Sequence, residues 1–189
     1  RRNQIQPDAF PFDHQILFQD FRPLVYDSGN YPAALEKAVL MIGYDEFVRV
    51  EQPRLRREGR HVGIGVVSYI EGTGIGPYEG ARVTVEPSGV VRVATGVGTQ
   101  GQGHFTTFAQ LVAQQLGVEV GQVRVVTGDT REFNWGTGTF ASRGAVVAGS
   151  ACHAAAVKVR EKILTLAASL LQAAPESLVL EGGRVQVRG

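Results

Sequence analysis

The stretch "ARVTVEPSGVVRVATGVG", residues 81–98, carries the clearest strand signal in the chain. Val83 and Val85 alternate with polar residues before the turn "EPSG", and Val91 and Val93 do so after it. Alternation with a period of two is typical of strands with one buried face, and proline and glycine favour the turn between them. The stretch therefore predicts a β-hairpin.

An amphipathic helix and a further strand are predicted after this hairpin. "GVGTQGQGHFTTFAQLVAQQLG" (96–117) predicts a helix from about Gly103 to Leu116, which Gly117 ends. "VRVVTGD" (123–129) predicts a strand, and a loop rich in glycine, threonine and aromatic residues then leads into a long helix over residues 141–174. "LVLEGGRVQVRG" predicts a second hairpin that turns at Gly182 and Gly183.

The first part of the chain is less regular. Residues 1–32 mix proline, aspartate, phenylalanine and glutamine without a steady period, and we expect an extended segment that lies over another surface. A short helix follows, with Ser28 or Asn30 as its cap and Gly43 at its end. Asp45 is the expected cap of the next helix, which Pro53 should kink or shorten.

The apolar, β-branched segment "HVGIGVVSYIEG" (61–72) predicts a central strand. Strands and helices are mixed without a strict βαβ repeat, which favours the α+β class: a mixed β-sheet with hairpins packed against helices. We expect residues 1–60 to form an extended segment with connector helices, and residues 61–189 to form the α+β domain.

Composition bounds the possible functions. The 189 residues carry a formal net charge of +1, which gives no electrostatic reason to expect nucleic acid as a partner. No apolar run is long enough for a transmembrane segment, and no signal peptide is visible. The single cysteine, Cys152, excludes an internal disulfide and is predicted to be a buried core residue. The histidines lack metal-ligand spacing, so no metal site is expected within the chain.

The start of the predicted helix at residue 103 is rich in groups that could bind a ligand. A helix N-terminus offers free N–H groups, and glycines in front let the backbone approach an anion. Thr106 and Thr107 add hydroxyls, while Gln100 and Gln102 add amides that suit the edge of a nitrogen-rich ring. The pattern predicts a ligand with both a diphosphate and such a ring. The alternative is a glycine-rich turn with threonine as a helix cap.

A second helix start, "GTGTFASRGAVVAGSAC", repeats this design. The helix is predicted to begin at Ala141, Ser142 and Arg143, and the last two suit an anionic ligand. Close packing of its small residues is the competing explanation. In "EGTGIGPYEG", Glu71 or Glu79 could act as a general base, and an exposed loop carboxylate is the simpler reading of either.

Three motifs, "EGTGIGPYEGA", "TQGQGHFTTFAQLVAQQLG" followed by "GDT", and "GTGTFASRGAVVAG", share their order and spacing with one known family. With the leading "YDSGNYPAALEKA", the chain resembles the molybdenum-binding large subunit of the xanthine dehydrogenase, aldehyde oxidase and carbon monoxide dehydrogenase family. The resemblance implies a molybdopterin cofactor, as the cytosine dinucleotide in bacterial members, with molybdenum held through the pterin. The cofactor-binding residues that it implies are Gln100, Gly101, Gln102, Gly103, His104, Thr106, Thr107, Phe140, Ala141, Ser142 and Arg143.

The resemblance further implies that Glu71 and Gly72 lie near the substrate pocket. It implies that the chain is an internal part of a larger subunit, with the base glutamate beyond the C-terminus and no catalytic residue within the chain. The implied reaction inserts water-derived oxygen at an electron-poor carbon of an aldehyde, a nitrogen heterocycle or carbon monoxide. Iron–sulfur ([2Fe–2S]) and FAD groups would sit on partner subunits or domains of a cytoplasmic, oligomeric parent enzyme. Two other classes stay open: a non-catalytic module for nucleotide or phosphate, and a structural interaction domain.

Overall fold

The computed structural model describes residues 3–188, which fall into two compact units that divide between Ile70 and Glu71. The sequence places a boundary earlier, at residue 60. Helices and mixed strands occur together, as the α+β prediction requires. No helix within residues 3–188 combines the length and apolar character needed to cross a membrane.

The first unit begins with a hairpin where an extended segment is predicted. Strand β1 (Phe12–Leu17) pairs antiparallel with β2 (Pro23–Tyr26), and Phe12 lies opposite Tyr26. Two non-glycine residues with positive φ, Gln15 and Phe21, shift the register and form the turn. The sequence does not predict this hairpin, because it has neither a clear strand alternation nor a glycine at the turn.

Helix α1 (Tyr31–Met41) follows. Of the two predicted caps, Ser28 and Asn30, Asn30 is confirmed, because its side chain accepts a hydrogen bond from the Ala33 N–H at 3.2 Å. The chain then reverses at Gly43, whose φ of +61° is the left-handed conformation that glycine adopts without strain. Helix α2 (Tyr44–Glu46) starts directly after it. The prediction of Asp45 as the cap is wrong, because the residue lies inside the first turn.

The helix passes Pro53 through a widened turn. A π-helical segment, Phe47–Glu51, joins α2 to α3 (Gln52–Arg57), and the Gln52 N–H donates to the Phe47 carbonyl. Proline lacks an N–H and its ring crowds the preceding turn, so a wider turn accommodates it. The expected disruption is therefore local, and the helix continues to Arg57.

The predicted central strand at 61–72 is wrong. Within the part of the chain that the structure describes, this segment joins no sheet, and Val67 and Tyr69 are 77% and 76% exposed. β-Branched residues favour an extended backbone, but a strand also needs a neighbour to complete its hydrogen bonds. Amino-acid composition indicates a preference for extended backbone, but it does not show whether a neighbouring strand is present.

The second unit is built on a three-stranded mixed sheet. Strands β3 (Ala81–Val85) and β4 (Val91–Thr95) form the predicted hairpin, and β5 (Val123–Thr127) lies parallel to β4. Helix α4 (His104–Leu116) connects the two parallel strands, and its end at Gly117 is also confirmed. The long helix α5 (Ser150–Leu171) and a second hairpin, β6 (Leu178–Glu181) and β7 (Arg184–Val187), complete the unit.

Helices α4 and α5 share one core with the sheet. Val83 and Val93 lie opposite each other on β3 and β4 within this core, and Val125 of β5, the neighbour of Val93, packs against it. Phe108 from α4 and Cys152 from α5 are fully buried against it. The prediction for Cys152 is confirmed, and burial raises the pKa of its thiol to about 12, which keeps the group protonated.

The end of β4 is crossed at very short range by the loop that follows β5. A Cβ on Gly96 would lie 1.9 Å from the Trp135 carbonyl oxygen and 2.6 Å from the Gly136 Cα. Only glycine fits on either side of this crossing, so the two chain segments are held in one relative position.

We predict that Gly96→Ala lowers the free energy of unfolding by about 2–3 kcal/mol, because the added methyl group must push backbone apart. Gly98→Ala is the matched control: its Cβ would meet nothing within 4 Å, and we expect a change within about 0.5 kcal/mol. Urea unfolding of both variants measures the difference. Equal destabilisation by the two substitutions would contradict the close approach of the two backbone segments at Gly96.

Candidate functional site

A cavity of about 390 Å³ lies within the second unit, between the N-terminus of α4 and the turn that precedes the next helix. The predicted site residues that line it are Glu71, Gln100, Gln102, His104, Thr107, Phe140, Ala141, Ser142 and Arg143. The predicted residues Gly72, Gly101, Gly103 and Thr106 are not among its lining residues. The structure thus brings the two helix starts to one cavity.

Four residues of the lining were not singled out by sequence: Phe108, Thr139, Gly144 and Ala145. Phe108 follows His104 by one helical turn, a spacing that could have indicated it. Thr139 and Gly144 lie inside the quoted motif "GTGTFASRGAVVAG", where nothing local separates a lining residue from its neighbours.

Helix α4 starts at the cavity without a side-chain cap. Gly103, at the cap position with a φ of +84°, contributes only backbone, and the Thr106 and Thr107 N–H groups both donate to its carbonyl. The alternative of a threonine cap is therefore wrong. An uncapped N-terminus leaves the first N–H groups available and carries the positive end of the helix dipole, which favours an anion.

His104 is buried at this helix start with a polar atom that has no partner. Its imidazole is 4% exposed and stacks on the Phe108 ring, with centroids 4.8 Å apart and an interplanar angle of 19°. A Cβ on Gly144 would lie 2.5 Å from Nε2, so the absence of a side chain there makes room for the ring. Nδ1 is buried and makes no hydrogen bond within residues 3–188. A buried polar atom beside a cavity indicates a ligand that would satisfy it.

Burial lowers the pKa of His104 below its ordinary value near 6.5, so the neutral imidazole is the stable form in the folded protein. The unfolded chain then binds more protons below pH 6.5, and stability falls as the pH falls through that range. We predict that the urea midpoint decreases between pH 7 and pH 5, and that His104→Leu reduces this dependence.

His153→Leu is the control for this prediction, because His153 is an exposed residue on α5. The control variant should keep the pH dependence of the original protein. An unchanged pH profile in His104→Leu would show that the buried imidazole does not carry the effect.

Side-chain hydrogen bonds brace the two loops that flank the cavity. The Gln102 Oε1 accepts from the Gln100 backbone N–H at 2.7 Å and from the Thr99 hydroxyl at 3.3 Å. Across the cavity, the Thr139 hydroxyl donates to the Gly98 carbonyl at 2.5 Å. The amide oxygen of Gln102 is thus committed to its own loop, and its –NH₂ group is the donor that remains for a ligand.

The second helix starts later than predicted. Ala141 and Ser142 have φ values of +47° and +50°, so they lie in the left-handed region rather than in a helix. A π-helical segment, Gly144–Gly149, begins after Arg143 and leads into α5. The left-handed conformation costs about 1–2 kcal/mol for a residue with a Cβ, and contacts elsewhere must offset it. Such strain is typical of functional sites.

We predict that Ala141→Gly leaves the free energy of unfolding unchanged or raises it by up to about 1 kcal/mol, because relief of the strain exceeds the added entropy of the unfolded chain. Ala154→Gly, at an exposed position inside α5, should lower it by about 1 kcal/mol. Thermal unfolding compares the two. If Ala141→Gly lowers the free energy of unfolding as much as Ala154→Gly does, the backbone at Ala141 is not strained.

Arg143 and Glu79 form an ion pair whose side chains are both fully buried. The expectation of an exposed loop carboxylate is wrong for Glu79, because its partner lies far away in sequence and no local pattern reveals it. Glu71 is exposed, as expected, and lies on the lining of the cavity. The Arg143 guanidinium also stands 4.9 Å from the centre of the Phe140 ring.

Comparison with known proteins identifies the family to which this chain belongs. Residues 37–189 match the model of the molybdopterin cofactor-binding domain. The chain is 34% identical over its full length to the carbon monoxide dehydrogenase large chain of Afipia carboxidovorans, and covers 24% of that relative. It is 32% identical to the nicotine 6-hydroxylase large subunit of Paenarthrobacter nicotinovorans, a match that covers 88% of this chain and 22% of the relative.

Among solved structures, quinoline 2-oxidoreductase from Pseudomonas putida 86 matches with a TM-score of 0.60 and 34% identity, over 100% of this chain and 24% of that chain. The chain belongs to the molybdopterin cofactor-binding domain family, which confirms the resemblance found in its motifs. It spans about a quarter of the length of these relatives.

Proposed function

We propose that this chain is the cofactor-binding part of a molybdenum hydroxylase, and that the cavity at the start of α4 holds molybdopterin in its cytosine dinucleotide form. One observation carries the proposal: the unpartnered Nδ1 of the buried His104 lies at the uncapped N-terminus of a long helix. That combination offers a polar contact and an anion site side by side.

The residues present fit such a group. The first N–H groups of α4 and the Thr107 hydroxyl would hold the diphosphate, because they are donors at the positive end of the helix dipole. Gln100 and the –NH₂ group of Gln102 would address the edge of the pterin. His104, held neutral by burial, would contact an uncharged polar atom of the cofactor through Nδ1. Gly101, Gly103 and Thr106 would support the loop and helix start behind these contacts.

Residues of the second helix start would form the opposite side of the cofactor. Phe140, Ala141 and Ser142 line the cavity there, and the buried Phe108 adds an apolar surface to the lining. The bound molybdenum centre would supply a two-electron oxidation that inserts water-derived oxygen at an electron-poor carbon. Glu71 and Gly72 would then border the substrate pocket.

We assign no catalytic residue to this chain and place the general-base glutamate elsewhere in the parent protein. Glu79 is unsuited to that role, because its carboxylate is buried and paired with Arg143. The parent would pass its electrons to iron–sulfur and flavin partners, in a cytoplasmic oligomer. One relative is named as subunit gamma of the 6-hydroxypseudooxynicotine dehydrogenase complex, which supports a multi-subunit parent.

The substrate class follows the names of the relatives, which include enzymes of carbon monoxide, nicotine and quinoline. We propose a small molecule with an electron-poor carbon: carbon monoxide, an aldehyde or a nitrogen heterocycle. A non-catalytic phosphate-binding module and a structural domain, the two other classes, gain no support from these relatives.

Two adjacent threonines test the site. Thr107 lines the cavity, whereas Thr106 is exposed and does not. We predict that Thr107→Ala in the full-length protein weakens cofactor binding about tenfold or more, because a hydrogen bond to a charged group is worth about 1.5–3 kcal/mol. Thr106→Ala should weaken it much less. Molybdenum analysis and the fluorescence of oxidised pterin, each per mole of protein, measure the cofactor.

Full molybdenum and pterin content in Thr107→Ala would contradict the assignment of that hydroxyl. A fully active parent protein that contains neither molybdenum nor pterin would refute the proposed function itself.

A further inference from the structure

We infer that Arg143 and Glu79 are a positioning pair, which holds one side of the cavity in shape while the Arg143 guanidinium makes no contact with the cofactor. The inference rests on the proposed function only for the identity of the bound group. It changes the role of Arg143, which the sequence motif places among the residues that contact the cofactor.

All three guanidinium nitrogens of Arg143 are engaged by the chain itself. Nε donates to the Ile75 carbonyl at 3.0 Å, and Nη1 donates to the Gly138 carbonyl at 2.7 Å and to the Glu79 carboxylate. Nη2 donates to the Pro77 carbonyl. Backbone carbonyls and one carboxylate thus accept hydrogen bonds from four of the five guanidinium N–H groups. An anion in the cavity would meet a charge that Glu79 already neutralises.

Glu79 holds the same segment from its other side. Its Oε1 accepts the Thr137 N–H at 3.0 Å and the Gly138 N–H at 3.1 Å, in addition to Arg143. The other oxygen, Oε2, is buried and unpaired within the described chain. A buried pair with an unsatisfied oxygen is a poor source of stability, which favours a role in fixing conformation.

The pair closes a short loop, residues 139–142, and all four of these residues line the cavity. Arg143 contacts Gly138, and the four residues between them, 139–142, include the two with left-handed φ angles. The Arg143 backbone N–H also donates to the Phe140 carbonyl at 3.1 Å. Because the loop is tied at both ends, the strained backbone of Ala141 and Ser142 keeps one conformation.

The pair also joins two stretches that are distant in sequence. Ile75, Pro77 and Glu79 come from the loop before β3, whereas Gly138 and Arg143 come from the loop after β5. Lysine at position 143 would keep the positive charge, but its three donors sit on one nitrogen and could not reach all four acceptors that surround the guanidinium fork. Geometry, rather than charge alone, is therefore what the site requires of this residue.

The test uses the full-length protein with Glu79→Gln, Arg143→Lys, Arg143→Gln and the double variant Glu79→Gln/Arg143→Gln. The first readout is retention of molybdenum and pterin. We expect each single variant to raise the dissociation constant of the cofactor about tenfold, the scale of effects from residues that orient a binding group. The double variant should lose no more than the larger single effect, because both residues act on one structure.

The second readout needs no cofactor. Chymotrypsin cleavage after Phe140 in cofactor-free protein should be about tenfold faster in the variants, because release of the loop exposes its backbone. The exposed pair Arg54 and Glu58 at the end of helix α3, in the first unit, supplies the controls Arg54→Lys and Glu58→Gln, which should change neither readout. Circular dichroism verifies that each variant is folded. The double variant buries no unpaired charge, so it can be tested even if a single variant fails to fold.

Direct contact between Arg143 and the cofactor phosphates predicts the opposite pattern. Glu79→Gln would then tighten cofactor binding, because it frees the positive charge, and Arg143→Lys would keep most of the affinity. Either result overturns the inference, as does unchanged cleavage after Phe140 in the variants. If the protein holds no pterin at all, the proposed function fails, and the cleavage rates alone still decide whether the pair positions the loop.

Discussion

The close approach of the two helix starts depends on residues that have almost no side chain. Gly144 lies against the His104 ring, where a single Cβ would come within 2.5 Å of Nε2. One turn further, Gly149 lies against Leu111 and Phe108 of α4, and Ala148 and Cys152 continue the buried contact. Small residues let two backbones pack closely, and the cavity exists because this packing places one helix N-terminus beside a strained turn.

The electrostatics of the site follow from that packing. The imidazole of His104 is neutral, and the charge of Arg143 is cancelled by Glu79, so no free side-chain cation lines the cavity among the residues that the structure describes. The positive potential that remains comes from the backbone of α4, and Glu71 is the carboxylate on the described lining. A diffuse potential of this kind, with hydroxyls and amides around it, suits a large polar ligand better than a small, highly charged ion.

Local sequence patterns predicted most of the second unit. The correctly predicted elements are hairpin β3–β4, helix α4 with its end at Gly117, strand β5 and the last hairpin. Each is predicted from its own residues, because strand alternation, helical periodicity and turn glycines are patterns that extend over only a few residues. Residues from both glycine-rich segments also line one cavity, and the prediction that they meet one ligand stays a prediction.

Most of the failures concern features that no local sequence pattern encodes. Residues 61–70 have strand composition but lack a neighbouring strand within the described chain, and the β1–β2 turn is made by Phe21 rather than glycine. The sequence predicts a helix at Ala141 and Ser142, but tertiary contacts hold their backbone in the left-handed region, which costs conformational energy. Glu79 reads as an exposed loop residue because its partner is 64 positions away. Only the folded chain brings these pairs together.

That long sequence separation also bears on the order of assembly. The β3–β4 hairpin and helix α4 form from neighbouring residues, whereas the bond between Arg143 and Glu79 must close a loop of 64 residues, at a greater cost in chain entropy. A polypeptide leaving the ribosome would therefore complete its scaffold first and the walls of its cavity last. Until those last contacts form, the proposed cofactor would have an open route into the cavity.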